Sequence, residues 1–522
     1  MSQRYNRRAG ILLHPTSLPG RFGIGCLGSQ AFHFVDFLQA AGQSLWQICP
    51  LGPTGFGDSP YQCFSAFAGN PLLIDPSNLH QMKLLKNKQL DSTPDFPTGR
   101  VDYGPVIEWK HGILREAYDA YCAKPAPGLA DEFALFKREN AGWLDDFTLF
   151  MALKDAHSGA PWPRWERELV QRDPEALKNA RGKFKHNIER SAFCQFLFFR
   201  QWMTLKRYAN EREIQIIGDL PIFVAHDSAD VWANQDIFKL DDAGNPAVMA
   251  GVPPDYFSKT GQLWGNPLYD WDKLAARKFD WWIERCSTLL KLVDIVRVDH
   301  FRGFEACWEV PAGEETAVVG RWVKTPGEAL FTALREALGE LPVIAEDLGL
   351  ITQEVDALRE QFRFPGMKVL QFAFGGKPHH GYLPHNYEPN CVVYTGTHDN
   401  DTALGWYLST NEKTREAARR YLWVDGSNIA WDLIHAALIS VAETAIIPMQ
   451  DVLGLGNDAR MNIPGQAGGN WTWRMFPGQA NERLAATLFE QTMLSNRIPR
   501  LAREYDEDDA FDEAELREKL KE

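Results

Sequence analysis

No run among the 522 residues approaches the ~20 consecutive apolar residues a membrane-spanning helix needs. The Arg-rich opening Met1–Gly10 leads into only three apolar residues, Ile11–Leu13, too short for the hydrophobic region of a secretory signal. Positive charge is in deficit: 55 Lys plus Arg stand against 69 Asp plus Glu, a net −14. That balance argues against a nucleic acid or an anionic membrane as partner and favours a neutral or cationic ligand. The eight cysteines never come close enough for C-x-x-C and are scattered along the chain, the pattern of free thiols in a reducing compartment, so a cytoplasmic location is expected. With 45% hydrophobic and 24% charged residues the chain lacks the signature of disorder. Aromatics are abundant: 18 Trp, 31 Phe and 14 Tyr.

Short apolar runs ending in polar residues recur with helical stretches between them, the βα alternation of a parallel sheet or barrel. The runs are Ile11–His14, Leu45–Pro50, Ile214–Asp219, Val293–Asp299, Pro342–Asp347, Met367–Phe374, Cys391–Thr397 and Ala445–Asp451. Eight is the number a closed barrel needs, so the expected fold is α/β, a (β/α)8 TIM barrel with inserted, mainly helical subdomains. A first helix is expected with Ser29 as N-cap, Phe32, Val35 and Leu38 along one side and Gly42 as its stop. A barrel uses ~31 residues per βα unit, and two gaps are far longer. The expected division is therefore 1–75 and 211–500 for the barrel and 76–210 for a helical insertion, with helices over Asp131–Glu139 and Ala192–Tyr208. A second insertion, 225–290, holds a hairpin at Asp241–Pro246 and a Gly/Pro/aromatic substrate loop at 250–269, placed to exclude water; 501–522 is a charged tail.

Three carboxylates close candidate strands: Asp299 after Val293-Asp-Ile-Val-Arg-Val, Glu346 after Val343-Ile-Ala, and Asp399 in Thr395-Gly-Thr-His-Asp. A charge directly after an apolar strand is costly unless it faces the rim, and the rim at strand C-termini is where barrel enzymes keep their sites. Strand alternation puts Arg297 on the same side as Asp299, where its guanidinium orients the carboxylate. Each acid taken alone reads first as a cap or an ion-pair partner. Together with Arg297, His300 and His398, and without a metal-ligand cluster, they point to glycoside chemistry, in which one acid protonates the leaving oxygen and another attacks the anomeric carbon or activates water. Neutral sugars suit an acidic chain, and aromatic rings suit pyranose faces.

The motifs His14-Pro-Thr-Ser-Leu-Pro-Gly, Ser59-Pro-Tyr-Gln-Cys-Phe-Ser-Ala-Phe-Ala-Gly-Asn-Pro, Gly218-Asp-Leu-Pro-Ile-Phe-Val, Ala250-Gly-Val-Pro-Pro-Asp-Tyr-Phe and Gly261-Gln-Leu-Trp-Gly-Asn-Pro-Leu-Tyr are followed by Arg297-Val-Asp-His-Phe-Arg-Gly-Phe, Ala345-Glu-Asp-Leu-Gly, Thr395-Gly-Thr-His-Asp-Asn-Asp-Thr and Arg460-Met-Asn-Ile-Pro-Gly. In these motifs, spanning about residues 11 to 474, the sequence resembles the 4-α-glucanotransferases called amylomaltases, or disproportionating enzymes, of the α-amylase superfamily. The resemblance implies that Asp299 is the nucleophile, Glu346 the general acid/base and Asp399 the third acid, which binds ring hydroxyls. It implies that Arg297 orients Asp299, that His300 and His398 bind donor-sugar hydroxyls, and that Tyr61 stacks on that sugar. Asp219, Asn462, Asp255, Tyr256, Gln262 and Trp264 would line flanking subsites, although Asp219 is equally read as a brace for Arg297 and Trp264 as a loop anchor. Implied partners are maltooligosaccharides and α-1,4-glucans, with glucose as acceptor; no cofactor and no metal are expected. Two positions depart from the pattern: Cys63 stands where Ser is expected, and an acidic residue expected just before Gly469 is missing.

The rival on the same site is an α-amylase-type hydrolase, differing only in the acceptor, and a weaker one is a glucan-binding protein without activity. Gly23-Ile-Gly-Cys-Leu-Gly28 matches the G-x-G-x-x-G of dinucleotide-binding loops. It begins too far past its strand, and no acidic residue falls between Asp36 and Asp58, where a ribose-binding acid belongs.

Overall fold

The computed structural model describes residues 7–254, 258–466 and 468–499. Along the chain its strands are β1 (Arg8–Leu12), β2 (Leu45–Gln47), β3 (Gln215–Pro221), β4 (Val248–Val252), β5 (Gln262–Pro267), β6 (Ile295–Asp299), β7 (Ala306–Pro311), β8 (Arg321–Lys324), β9 (Val343–Ala345), β10 (Gly366–Val369), β11 (Cys391–Tyr394) and β12 (Thr444–Pro448). Each of the eight expected runs contributes one strand, β1, β2, β3, β6, β9, β10, β11 and β12. These pair in parallel, each with the next, and β12 closes onto β1. The fold is a closed (β/α)8 barrel. The run Met367–Phe374 is only half strand: β10 ends at Val369 and a single 3-10 turn, Leu370–Phe372, follows.

Strand alternation divides the apolar residues between two cores. Leu12, Leu45, Ile217, Ile295, Ile344, Met367, Val392 and Ile446 fill the barrel interior. Ile11, Trp46, Ile216, Val296, Val298 and Val393, one residue out of phase, pack beneath the surrounding helices. Gly10 is needed for this filling, because a Cβ there would come within 2.4 Å of the Leu45 Cβ on the neighbouring strand. One layer nearer the C-terminal rim the filling turns polar: Tyr394 donates to Gln47 Oε1 at 2.8 Å, both buried.

The first helix spans Ser29–Ala40, with Val35 and Leu38 buried and Gly42 left-handed after it (φ 66°). The expected N-cap is corrected by one residue: Gly28 holds that position with no side-chain cap, and Ser29 is already helical. The reason is crowding, since a Cβ at residue 28 would lie 2.1 Å from the Asp75 carboxylate, which caps the helix Pro76–Gln81 through the Asn78 amide.

Between β2 and β3 the chain is mostly helical, and the two expected helices lie inside Leu129–Glu139 and Lys185–Asn210. These helices and Tyr103–Ala123 meet through aromatic contacts such as Tyr121 on Phe193 (4.4 Å) and Phe133 edge-on to Phe193 (5.4 Å). The hairpin at Asp241–Pro246 is present as a tight turn, with Leu240 bridging Pro246 and the Asp241 carboxylate accepting from the amides of Ala243 and Asn245.

The substrate loop expected at 250–269 is in large part a sheet. Its strands β4 and β5 pair antiparallel, and β7 and β8 complete a four-stranded sheet of order β5-β4-β7-β8. β5, β7 and β8 are broken by polar residues (Gln262, Asn266, Glu309, Arg321, Lys324) and form no continuous apolar run, and the sheet closes only through the β4–β7 pairing across β6. Trp308 and Trp322 pack across β7 and β8 at 5.3 Å.

Candidate active site

Register builds the centre of the site. In the β3–β6 ladder Asp219 sits opposite Arg297, so both side chains point into the barrel mouth. Their ion pair measures 2.7 Å between Arg297 Nη1 and Asp219 Oδ2, with side chains only 3% and 1% exposed. Two residues on, Asp299 shares that face, and Arg297 Nη2 reaches its Oδ1 at 3.1 Å. The guanidinium thus bridges two carboxylates on neighbouring strands, a fixed fork that a lysine could not reproduce. Tyr61, from the loop after β2, donates its hydroxyl to Asp219 Oδ2 at 2.8 Å.

Glu346 follows β9 directly, with its amide bonded to the Val298 carbonyl of β6 (3.0 Å). Its carboxylate accepts from the His300 amide (2.8 Å) and the Leu348 amide (3.0 Å). His300 is left-handed (φ 53°, ψ 52°), a conformation rare for a residue with a Cβ, and it brings its amide onto Glu346 immediately after Asp299. Asp399 lies in the loop after β11, where Asn462 Nδ2 donates to Oδ1 at 2.6 Å and His398 Nε2 stands 3.4 Å from Oδ2.

The two outer acids are driven in opposite directions. Burial pushes the Glu346 carboxyl up to about 7, with the Asp299 charge adding to the shift and Arg297 opposing it. Burial would raise Asp399 as well, but His398, the Asn462 amide and Arg297 outweigh it and hold that carboxyl well below the usual carboxylate range. Burial likewise pulls His398 down, and Asp399 reverses this so that its net shift is upward. His300, without so close a partner, is pushed down to about 4 by burial. Arg297 remains a cation: burial opposes its charge, yet Asp219 and Asp299 raise it well above its ordinary value. At neutral pH the site can therefore offer one carboxylic acid able to give a proton, beside an Arg-clamped carboxylate.

Rings flank these groups. Tyr61 stacks on His398 (5.1 Å, 20°), Trp471 leans on both (5.8 and 5.7 Å), and Trp264 stands edge-on to His300 at 4.8 Å with its Nε1 donating to Gln262. Of the residues singled out from the sequence, Asp299, Glu346, Asp399, Arg297, Asp219, Tyr61, His300, His398 and Asn462 form one connected centre through these contacts. Trp264 and Gln262 join it through His300. Asp255 and Tyr256 lie outside the described residues.

Three participants went unassigned in the sequence. Trp471 (φ 62°) is part of the tilted aromatic group. Arg460 donates to the Asp399 carbonyl at 2.7 Å. His14 is buried beside His398. His14 and Arg460 each open a quoted motif, so position in the motifs was the available signal. Among the described residues no group of three or more His, Cys, Asp or Glu is arranged to hold a metal ion. Nor is any helix there long and apolar enough to cross a membrane.

Comparison with known proteins gives a consistent result. Residues 13–478 match a protein family described as 4-alpha-glucanotransferase. A 4-alpha-glucanotransferase from Synechocystis is 54% identical over 495 residues, covering 94% of this chain and 98% of that protein. The Thermus thermophilus 4-alpha-glucanotransferase is 51% identical over 500 residues, covering 94% and 99%. Among solved structures, the amylomaltase from Streptococcus agalactiae in complex with acarbose superposes with a TM-score of 0.92 at 39% identity, covering 94% of this chain and all of that one. An Arg-clamped carboxylate beside a second acid at the C-terminal mouth of a (β/α)8 barrel, matched over nearly its whole length by such relatives, places the chain in the 4-alpha-glucanotransferase family.

Proposed function

We propose that the chain transfers a segment of an α-1,4-glucan to the 4-hydroxyl of glucose or of another α-1,4-glucan by a retaining double displacement. An Asp299 carboxylate oxygen attacks the anomeric carbon, the glycosidic C1–O bond breaks, and Glu346 gives its proton to the departing 4-oxygen. A covalent glucosyl ester on Asp299 remains. The acceptor 4-hydroxyl then attacks C1, its proton returns to Glu346, and the ester bond breaks. In this scheme Arg297 and Asp219 orient Asp299, while Asp399, His398 and His300 bind hydroxyls of the donor ring. Tyr61 stacks on that ring, and Asn462, Gln262, Trp264 and the pair Asp255 and Tyr256 line flanking subsites.

The single observation that carries the assignment is the contrast between Glu346, pushed up to about 7 by burial, and Asp299, clamped at 3.1 Å by an arginine. Paired carboxyls in contrasting environments are the signature of divided acid and nucleophile roles. His300 Nε2, Asp219 Oδ1 and Arg297 Nε, buried without hydrogen-bond partners, are groups that sugar hydroxyls or ordered water would satisfy. Acarbose, bound by the Streptococcus agalactiae amylomaltase, is expected to occupy the same mouth here. All eight cysteines are free, which supports a cytoplasmic setting, with maltose, glycogen or starch dextrins as the glucan source.

Incubation with maltotriose alone, read over time by mass spectrometry, tests the proposal. Glucose together with a ladder of longer maltooligosaccharides is expected. Glucose and maltose with nothing longer would make the chain a hydrolase on this scaffold.

A further inference from the structure

The loop from Thr395 to Ala403 carries His398 and Asp399 to the barrel mouth. A small cavity lies between Thr397, His398 and Asn400 on the loop and His14, Cys49 and Gln450 on the barrel. The middle of the loop is tied by Arg460 to the Asp399 carbonyl and by the Asn462 amide to the His398 carbonyl; its two ends are held separately from it.

Both ends are held by one side chain. Asp451, on the short helix Met449–Val452 that follows β12, accepts from Thr395 Oγ1 at 2.6 Å through Oδ2 and from the Ala403 amide at 2.7 Å through Oδ1. Asp451, Thr395 and Ala403 are each fully buried. Among the described residues no Lys, Arg or His lies within ion-pair distance of this carboxylate. A buried, uncompensated carboxylate is an expensive choice. Burial pushes it up to about 6, with Asp401 adding to the shift and the Thr395 and Ala403 bonds opposing it. What a carboxylate alone offers is two acceptor oxygens for two converging donors; an amide has one acceptor and presents an N–H group to the other partner.

We propose that Asp451 is a positioning residue for transfer: by tying Thr395 to Ala403 it sets the span of the loop and so the placement of His398 and Asp399 against the donor sugar. The proposal rests on the roles assigned above to those two residues. Other bonds, such as Gln371 to the Asp401 carbonyl (2.7 Å) and Asn457 to the Asp401 carboxylate (2.7 Å), hold the outer half of the loop but leave its entry at Thr395 to Asp451.

The test compares Thr395→Val, Thr395→Ser, Asp451→Asn and Asp399→Asn in steady-state maltotriose disproportionation, far below each variant's melting temperature and with the fold checked by circular dichroism. Thr395→Val keeps the side-chain shape and removes the donor. It and Asp451→Asn are expected to lower kcat about 10-fold with KM within about twofold, because a loop displaced by a fraction of an ångström loses alignment before it loses binding. Thr395→Ser, which retains the hydroxyl, should stay within about twofold of the parent. A role confined to stability would lower the melting temperature and leave kcat unchanged. Unchanged kcat in Thr395→Val, or an equal loss in Thr395→Ser, with Asp399→Asn impaired, overturns the proposal; if Asp451→Asn fails to fold, the Thr395 pair decides. A parental rate in Asp399→Asn overturns instead the role assigned to Asp399.

Discussion

At the N-terminal end of the barrel Arg497 is fully buried, and its donors all go to backbone carbonyls: Leu438 (2.7 Å), Arg8 (2.9 Å), Glu443 (3.2 Å), Ser440 (3.2 Å) and Ala442 (2.7 Å). Arg7 binds two of the same carbonyls, those of Leu438 and Ser440. At the C-terminal end Arg297 is equally buried but faces two carboxylates, and its Nε, Asp219 Oδ1, His300 Nε2 and His14 Nδ1 have no hydrogen-bond partner. Two residues there, His300 and Trp471, are also held left-handed. One buried arginine is thus saturated by the chain it ties together, and the other is left partly open among charges. Saturation at the bottom favours stability; these unpaired buried polar atoms and left-handed residues gather instead at the mouth, the end at which barrels of this kind keep their sites.

The sharpest break of this contrast is chemical. Asp299→Asn and Glu346→Gln are each expected to lower transfer from maltotriose at least ~10²-fold, about 2.7 kcal/mol of barrier, with the melting temperature unchanged or raised. Near-parental rates would remove the assignment and the contrast with it.

Arg497→Met should behave in the opposite way. Losing several charge-assisted bonds costs about 3 kcal/mol, read as a clear fall in calorimetric melting temperature, while kcat at low temperature stays near the parental value. A loss of kcat without loss of stability would mean the two ends are not separable.

The smallest effect is the pH dependence of Glu346. Its folded pKa is raised from 4.5 to about 7, so the folded state holds its proton more tightly than the unfolded state does. The stability this contributes is complete below pH 4.5 and declines as pH rises through about 7. Glu346→Gln, neutral throughout, should flatten that decline in melting temperature between pH 5 and 8. A decline as steep as the parent's would show that the shift belongs elsewhere.

Much of the barrel was legible because its signal is local. Each barrel strand lies in a short apolar run that ends in polar residues, a pattern visible within a few residues. The sheet of β4, β5, β7 and β8 was not legible: Gln262–Pro267 and Arg321–Lys324 are broken by polar residues, and the two hairpins β4–β5 and β7–β8 join into one sheet only through the β4–β7 pairing across β6. In the site, Arg297 and Asp299 could be placed on one face from spacing alone. Trp471, Arg460 and His14 were missed because what qualifies them is proximity to His398 and Asp399, from segments at opposite ends of the chain.

By itself, then, the sequence determined the eight barrel strands, the shared face of Arg297 and Asp299 and the presence of three acids at strand ends, because apolar runs and strand alternation depend only on neighbours along the chain. The register that sets Asp219 against Arg297, the burial that raises the Glu346 carboxyl, and the hold of Asp451 on the loop of Asp399 were decided by the tertiary structure. Desolvation and hydrogen bonding between distant segments have no value until the barrel closes.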